Sequence, residues 1–253
     1  MRVKIFLLLI LAVAACKKDA QKVEIESDVL VDFHEEINNG IRSFHLEFET
    51  VEEFGSSGYY IDNSCKVTGD KININLKGII VPERGFCVIM PATCAMELSN
   101  CQEAEYSLSI KMHGKKSKGS IIINQDSYEV KLDEQNGLVV EKAKRNRIPQ
   151  GTIWGTIQYS SDTLASLASE LIDSIIQLGG RQDTYMPGDY FYFGVDDTGQ
   201  KLLPNNQGSQ FEKSFILHFE GEMSSLIGLK ERYYTNCQGQ VSLSFGSDRQ
   251  TSW

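Results

Sequence analysis

Histidine is scarce in this chain, with four in 253 residues. No two stand four apart, as a zinc-protease helix requires; His34, in His-Glu-Glu, is followed at that spacing by Asn38. His45 and His218 fall on the polar faces of strands and His113 beside Gly114 at a hairpin tip, so all read as solvated. The chain has no Gly-x-Ser-x-Gly elbow and no glycine-rich phosphate loop, which removes the commonest hydrolase and nucleotide-binding signatures. Positive charge is in deficit, with 25 Lys and Arg against 34 Asp and Glu and a formal net charge of −9. That balance argues against a nucleic-acid partner, because phosphate binding needs clustered cations. Acidic pairs such as Glu35-Glu36, Glu52-Glu53 and Asp196-Asp197 read as solvated faces and turns. No catalytic residue, metal ligand or cofactor is therefore assigned.

Long apolar runs are also missing. The stretch from Ile5 to Val13 is unbroken but reaches only about half of the ~20 residues that a spanning helix needs. With Arg2 and Lys4 ahead of it and small residues after it, it reads as the core of an export signal over residues 1–15. Its end, Val13-Ala14-Ala15-Cys16, resembles the lipobox of bacterial lipoproteins. The resemblance implies cleavage before Cys16, lipidation of the Cys16 thiol and acylation of the new amine, palmitate being a usual chain. It further implies attachment to the cell outer membrane, facing the periplasm or the cell surface. Several acyl chains anchor durably where one does not, since each buried CH₂ contributes about 0.8 kcal/mol. Residues 16–22 then form a polar tether, and Lys17 to Lys22 is similar to the surface-export tags of lipoproteins in Bacteroidota.

Outside the cytoplasm cysteines default to disulfides. Cys65, Cys87, Cys94, Cys101 and Cys237 remain besides Cys16. Spacing does not fix connectivity; pairing of Cys94 with Cys101 and of Cys65 with Cys87 is the first expectation, leaving Cys237 over. Zinc is disfavoured, because Cys87, Cys94 and Cys101 recur at seven rather than at two to four.

From Val23 to Ile148 the pattern has period two. Phe44, Leu46 and Phe48 alternate with His45, Glu47 and Glu49; Ile72, Ile74 and Leu76 do so with Asn73 and Asn75; Tyr106, Leu108, Ile110 and Met112 follow. Such strands, separated by turns, predict a β-sandwich over residues 23–148. Glu105-Tyr-Ser-Leu-Ser-Ile and Gly119-Ser-Ile-Ile-Ile resemble the late strands of immunoglobulin-like modules in exported bacterial proteins, although Glu105 stands where a glycine is usual. That likeness implies an Ig-like antiparallel sandwich. After Ile148-Pro149-Gln150-Gly151 the texture changes to a strand over 152–159, then a helix from Leu164 to Leu178 ended by Gly179-Gly180. Strands at 189–195, 214–220 and 241–245 follow, with a second helix over 223–234. Residues 149–253 are thus expected to form a small α+β domain, two helices on an antiparallel sheet. The whole reads as mainly β with α+β.

Two features rise above the acidic background. Lys115, Lys116 and Lys118 cluster at one hairpin, and Lys144, Arg145 and Arg147 before the boundary; if they converge they form a patch for an anionic glycan or lipid headgroups. Alternation over 189–195 would also put Tyr190 and Tyr192 together on one binding face. The expected function is a non-enzymatic binding or assembly module, tethered to the membrane through Cys16, with an envelope protein or anionic glycan as partner. An envelope hydrolase with an unrecognised site is the alternative, and a subunit of an envelope complex, marked by a large exposed apolar patch on the second domain, is a third.

Overall fold

A computed structural model describes residues 21–98, 102–199, 202–203 and 211–250; Cys16, Cys101 and the segment 1–20 lie outside them. The strands are β1 (Lys22–Val23), β2 (Val29–Asn38), β3 (Ile41–Phe54), β4 (Tyr60–Thr68), β5 (Lys71–Ile80) and β6 (Met90–Leu98). Then come β7 (Ala104–Met112), β8 (Lys115–Ile123), β9 (Ser127–Leu132), β10 (Leu138–Val140) and β11 (Lys144–Asn146). The remainder are β12 (Thr152–Tyr159), helix α1 (Ala165–Gln177), β13 (Gly180–Arg181), β14 (Gly188–Asp189), β15 (Gly194–Val195), β16 (Leu202–Leu203), β17 (Glu212–Phe219), helix α2 (Met223–Asn236) and β18 (Val241–Ser247).

The alternating pattern does build a mainly β protein. The first eleven strands form one curled sheet in the order β10-β2-β3-β6-β4-β5-β7-β8-β9-β11, with β1 on β5. Its inner face is the apolar set of each strand: Val29, Val31 and Phe33; Phe44, Leu46 and Phe48; Ile72, Ile74 and Leu76; Leu108 and Ile110; Ile121 and Val130. The antiparallel pairing that alternation suggests is not uniform. β10 pairs β2, and β5 pairs β7, in parallel. β4 meets β6 in parallel through one register pair, Tyr60 with Thr93. The reason is connection length: β5 to β7 passes through the long loop after Ile80 and through β6, enough chain to return in parallel, whereas two-residue turns force hairpins. The β7–β8 hairpin turns at His113 and Gly114, both at positive φ.

The second part places β12 between β17 and β18, with β13 beyond β17. Ile153, Ile157, Phe215, Leu217, Phe219, Leu243 and Phe245 face the two helices, which contribute Ala168, Leu171, Ile175, Leu226 and Leu229. The opposite face offers Trp154 and Ile216. These pack with Ile37 of the large sheet and with Ile148, Tyr185, Tyr190, Phe193 and Val195 in a third core cluster. Among the described residues no helix is long and apolar enough to cross a membrane.

The stretch 189–195 is not one alternating strand. It breaks after β14, and Phe191 sits at φ +70° in a tight turn closed by Tyr190 N–H to Phe193 O (2.9 Å) and Tyr192 N–H to Tyr190 O (2.9 Å). Tyr190 and Phe193 consequently lie on the same side, stacked 4.8 Å apart and buried, and Phe191 projects the other way.

Candidate functional site

Period two also fixes what the outer face of β2, β3 and β6 carries. Asp32, His34 and Glu36 stand on β2. Opposite them on β3 are Glu47, His45 and Ser43, in that order. β6 adds Glu97 opposite His45 and Ala95 opposite Glu47. Two of the four histidines are thus direct cross-strand neighbours, their rings stacked 5.1 Å apart at 16°. The turn at 190–193 closes over them. Phe191 stacks on His34 at 4.1 Å and 11°, and Tyr192 meets the same ring edge-on at 6.1 Å.

Arg145 holds that turn in place. Its guanidinium donates to Asp189 Oδ2 (2.9 Å), to both carboxylate oxygens of Asp32 and to the Phe33 carbonyl, and lies over the rings of Phe33 and Phe191. Lys142 gives Asp189 a second cation at 2.9 Å. Burial alone would raise the Asp189 pKa, but Lys142 and Arg145 outweigh it and hold the carboxyl below its usual range.

His34 is covered on both ring faces, and its side chain is 9% exposed. Burial, followed by the neighbouring His45, pushes its pKa down to about 4, so the ring is neutral at neutral pH. Its Nδ1 has no hydrogen-bond partner among the described residues, a condition that costs on the order of 1–3 kcal/mol. Glu47 Oε1 lies 3.7 Å away, beyond hydrogen-bond reach. Burial, then Asp32, raises the Glu47 pKa, so this carboxyl keeps its proton to higher pH than an ordinary one. His45 Nε2 has Ser43 Oγ at 2.9 Å and Glu36 Oε2 at 3.3 Å. Both approach the same nitrogen, whereas a nucleophile–base–acid triad needs serine and carboxylate on opposite nitrogens. A shallow groove of about 320 Å³ runs alongside, lined by Asp32, Glu47, Glu49, Thr93, Cys94 and Glu141 among others.

The other residues singled out in the sequence are dispersed. Lys115, Lys116 and Lys118 are exposed on β8. Lys144 pairs in register with Glu129, which pairs with Ile122, six residues along β8 from Lys116 and so roughly 20 Å away. Arg145 is taken up by Asp32 and Asp189 beside the histidines, and Arg147 turns to Glu35 Oε1 (3.0 Å) and over the Tyr128 ring. Tyr190 is core, not a binding face, and its hydroxyl donates to the Met186 carbonyl at 2.9 Å. Tyr192 is half-buried against Trp154. Cys65 and Cys87 are separate free thiols, so the expected bridge between them is not formed. Cys65 sits five residues into β4 from Tyr60, and Cys87 follows Phe86, which is bound to Ser57 beyond that end of the strand. The strand length alone separates the two by about 17 Å, against the ~7 Å limit for a disulfide. Cys94 is a free thiol whose pKa burial raises to about 12, and its expected partner Cys101 lies outside the described residues. Cys237 is also free. His113 is exposed at its hairpin tip, and His218 contacts Glu220 at 3.2 Å.

One surface has no counterpart among the sequence expectations. Phe86 to Met90, the end of the loop after β5 and the first residue of β6, are all exposed, Phe86 at 84% and Ile89 at 69%. The loop is fixed at its shoulder, where Ser57 N–H donates to the Phe86 carbonyl (2.9 Å) and Phe86 N–H to Ser57 Oγ (2.9 Å). At its start, Val81 N–H donates to the carbonyl of Gln21 (2.9 Å), and Lys22 and Val23 pair with Ile80 and Ile79. No family model, curated protein or solved structure matches the chain.

Proposed function

We propose that this chain is a lipid-anchored cell-envelope protein, held to the membrane through Cys16, that works as a non-enzymatic binding module with its apolar loop against the bilayer. One observation carries the reading: the chain enters the sheet at the root of its most exposed apolar loop. From Cys16 to Gln21 a fully extended chain spans at most about 20 Å. A lipid on Cys16 therefore keeps Phe86, Val88, Ile89 and Met90 close to the membrane surface. An exposed apolar run of this kind marks an interaction site, and the nearest apolar partner for an anchored protein is the membrane itself. The acidic and histidine-bearing face of β2, β3 and β6 is then the part available to a ligand.

The test is fractionation of cells expressing the full chain, with mass spectrometry of the mature N-terminus. An acylated Cys16 peptide in the outer-membrane fraction is expected. An unmodified chain in the soluble fraction refutes the anchor. The hydrolase alternative has one observation in its favour: Glu47, a carboxyl biased towards its protonated form beside a groove that also holds Asp32. Turnover of an envelope glycan or peptide that is lost in Glu47→Gln would replace the binding-module reading.

A further inference from the structure

We propose that His34, His45 and Glu36 form a binding site for a divalent transition-metal ion of the zinc type, with two imidazoles and one carboxylate as ligands. Each of the three offers one ligand atom, and these atoms all lie within 4.8 Å of one another. Their placement follows from the hairpin: His34 and His45 are register partners on β2 and β3, and Glu36 is the next same-face residue on β2. Around a tetrahedral zinc ion, ligand atoms about 2.0–2.1 Å from the metal stand ~3.4 Å apart, so modest side-chain rotations close the set.

A second observation points the same way. His34 is nine-tenths buried, yet among the described residues no hydrogen bond satisfies its Nδ1. A ring placed there only for packing would be better served by an apolar residue. Its surroundings are those of a ligating histidine. Glu47 stands 3.7 Å from His34 Nδ1, beyond hydrogen-bond reach, and so does not occupy that nitrogen. Phe191 covers one ring face and shields the site from water. Ser43 holds His45 Nε2 at 2.9 Å and has to release it, or share it, when the ion binds. The charge balance suits a cation: Arg145 neutralises Asp32, while Glu36 pairs with no Lys or Arg among the described residues and faces His45. Imidazole ligands select zinc, nickel, cobalt or copper over magnesium or calcium, which prefer all-oxygen cages. The inference stands on residues 34–47 and is independent of the lipid anchor.

The experiment uses the full chain without an affinity tag, in detergent micelles, titrated by calorimetry with zinc and cobalt chlorides and with magnesium and calcium chlorides. One zinc per chain is expected, with a rise in Tm. Bound cobalt should show the visible absorption of a low-coordinate nitrogen–oxygen site and no sulfur-to-metal charge-transfer band. His45→Gln and Glu36→Gln should each weaken zinc at least about tenfold. Glu36 is half-exposed, so its variant still decides the matter if His45→Gln misfolds. Absence of stoichiometric zinc, equal response to magnesium or calcium, or zinc retained unchanged by Glu36→Gln with a thiolate signature from the free cysteines overturns the proposal.

Discussion

Arg145 is the residue on which the geometry of the polar face converges. It joins Asp32 of the large sheet to Asp189 of the aromatic turn and so holds Phe191 over His34. Replacing it by methionine keeps the length but takes the cation from Asp32 and leaves Asp189 with Lys142 alone. Because Asp32 is partly solvated, a loss of about 2–3 kcal/mol is expected, less than for a fully buried pair. Urea denaturation of Arg145→Met measures it. Asp189 gives the same network a pH signature. Its carboxyl binds protons less readily folded than unfolded, so its contribution is present above the unfolded carboxylate range, near pH 4, and fades as pH falls through the lower, folded value. Tm measured between pH 7 and pH 3 should fall on the acid side in the native chain. In Arg145→Met that acid-side fall should be shallower. An identical fall in both would remove Asp189 from the account.

At the scale of the element, the β2–β3 hairpin decides which side chains meet. Its turn is Asn39-Gly40, at φ +51° and +76°, the left-handed pair that a two-residue hairpin requires. The Gly40 N–H also donates to the Arg249 carbonyl at 2.7 Å. Gly40→Ala forces a Cβ into that conformation and should cost about 1 kcal/mol, measured by thermal unfolding. No steric neighbour adds to this, since nothing lies within 4 Å of the new Cβ.

The same turn shows what was legible in the sequence and what was passed over. Once Asn39-Gly40 is taken as the turn, Asn38 faces Ile41, and four residues further along each strand His34 faces His45. A histidine search confined to helical spacing cannot see that pair, and a surface reading of each ring in isolation misses its burial. The period-two strands and both helices were readable, because each buries one face of regular spacing. Parallel pairing was not, since alternation is the same in either direction. The aromatic turn departs from the strand that its sequence suggests, because 190–193 is uniformly aromatic and carries no turn signal. Only the positive φ at Phe191, held by Asp189 Oδ1 accepting its N–H at 3.1 Å, breaks the alternation.

At the scale of the molecule, two cores are joined by a third. Phe193 is 1% exposed, stacked on Tyr190 and 5.0 Å from the Trp154 ring, in the cluster that ties Ile37 of the large sheet to Ile216 of the small one. Phe193→Ala should cost about 3–5 kcal/mol. It should also separate unfolding followed by tryptophan fluorescence from unfolding followed by far-ultraviolet circular dichroism, which coincide when both parts unfold together. Coincident transitions in the variant would mean that the parts are coupled elsewhere.

The apposition of the apolar loop to the membrane is the claim on which the functional reading depends, and Cys87 lies within that loop as an exposed thiol. The direct measurement places an environment-sensitive fluorophore on Cys87 in the full lipidated chain, with Cys65, Cys94, Cys101 and Cys237 replaced by serine or alanine, and reconstitutes it into lipid vesicles. A blue shift and a gain in intensity on reconstitution, absent with the same label on exposed Lys115→Cys in a variant lacking Cys87, is the result expected. Emission at Cys87 that stays at its aqueous wavelength in the vesicles would contradict the account.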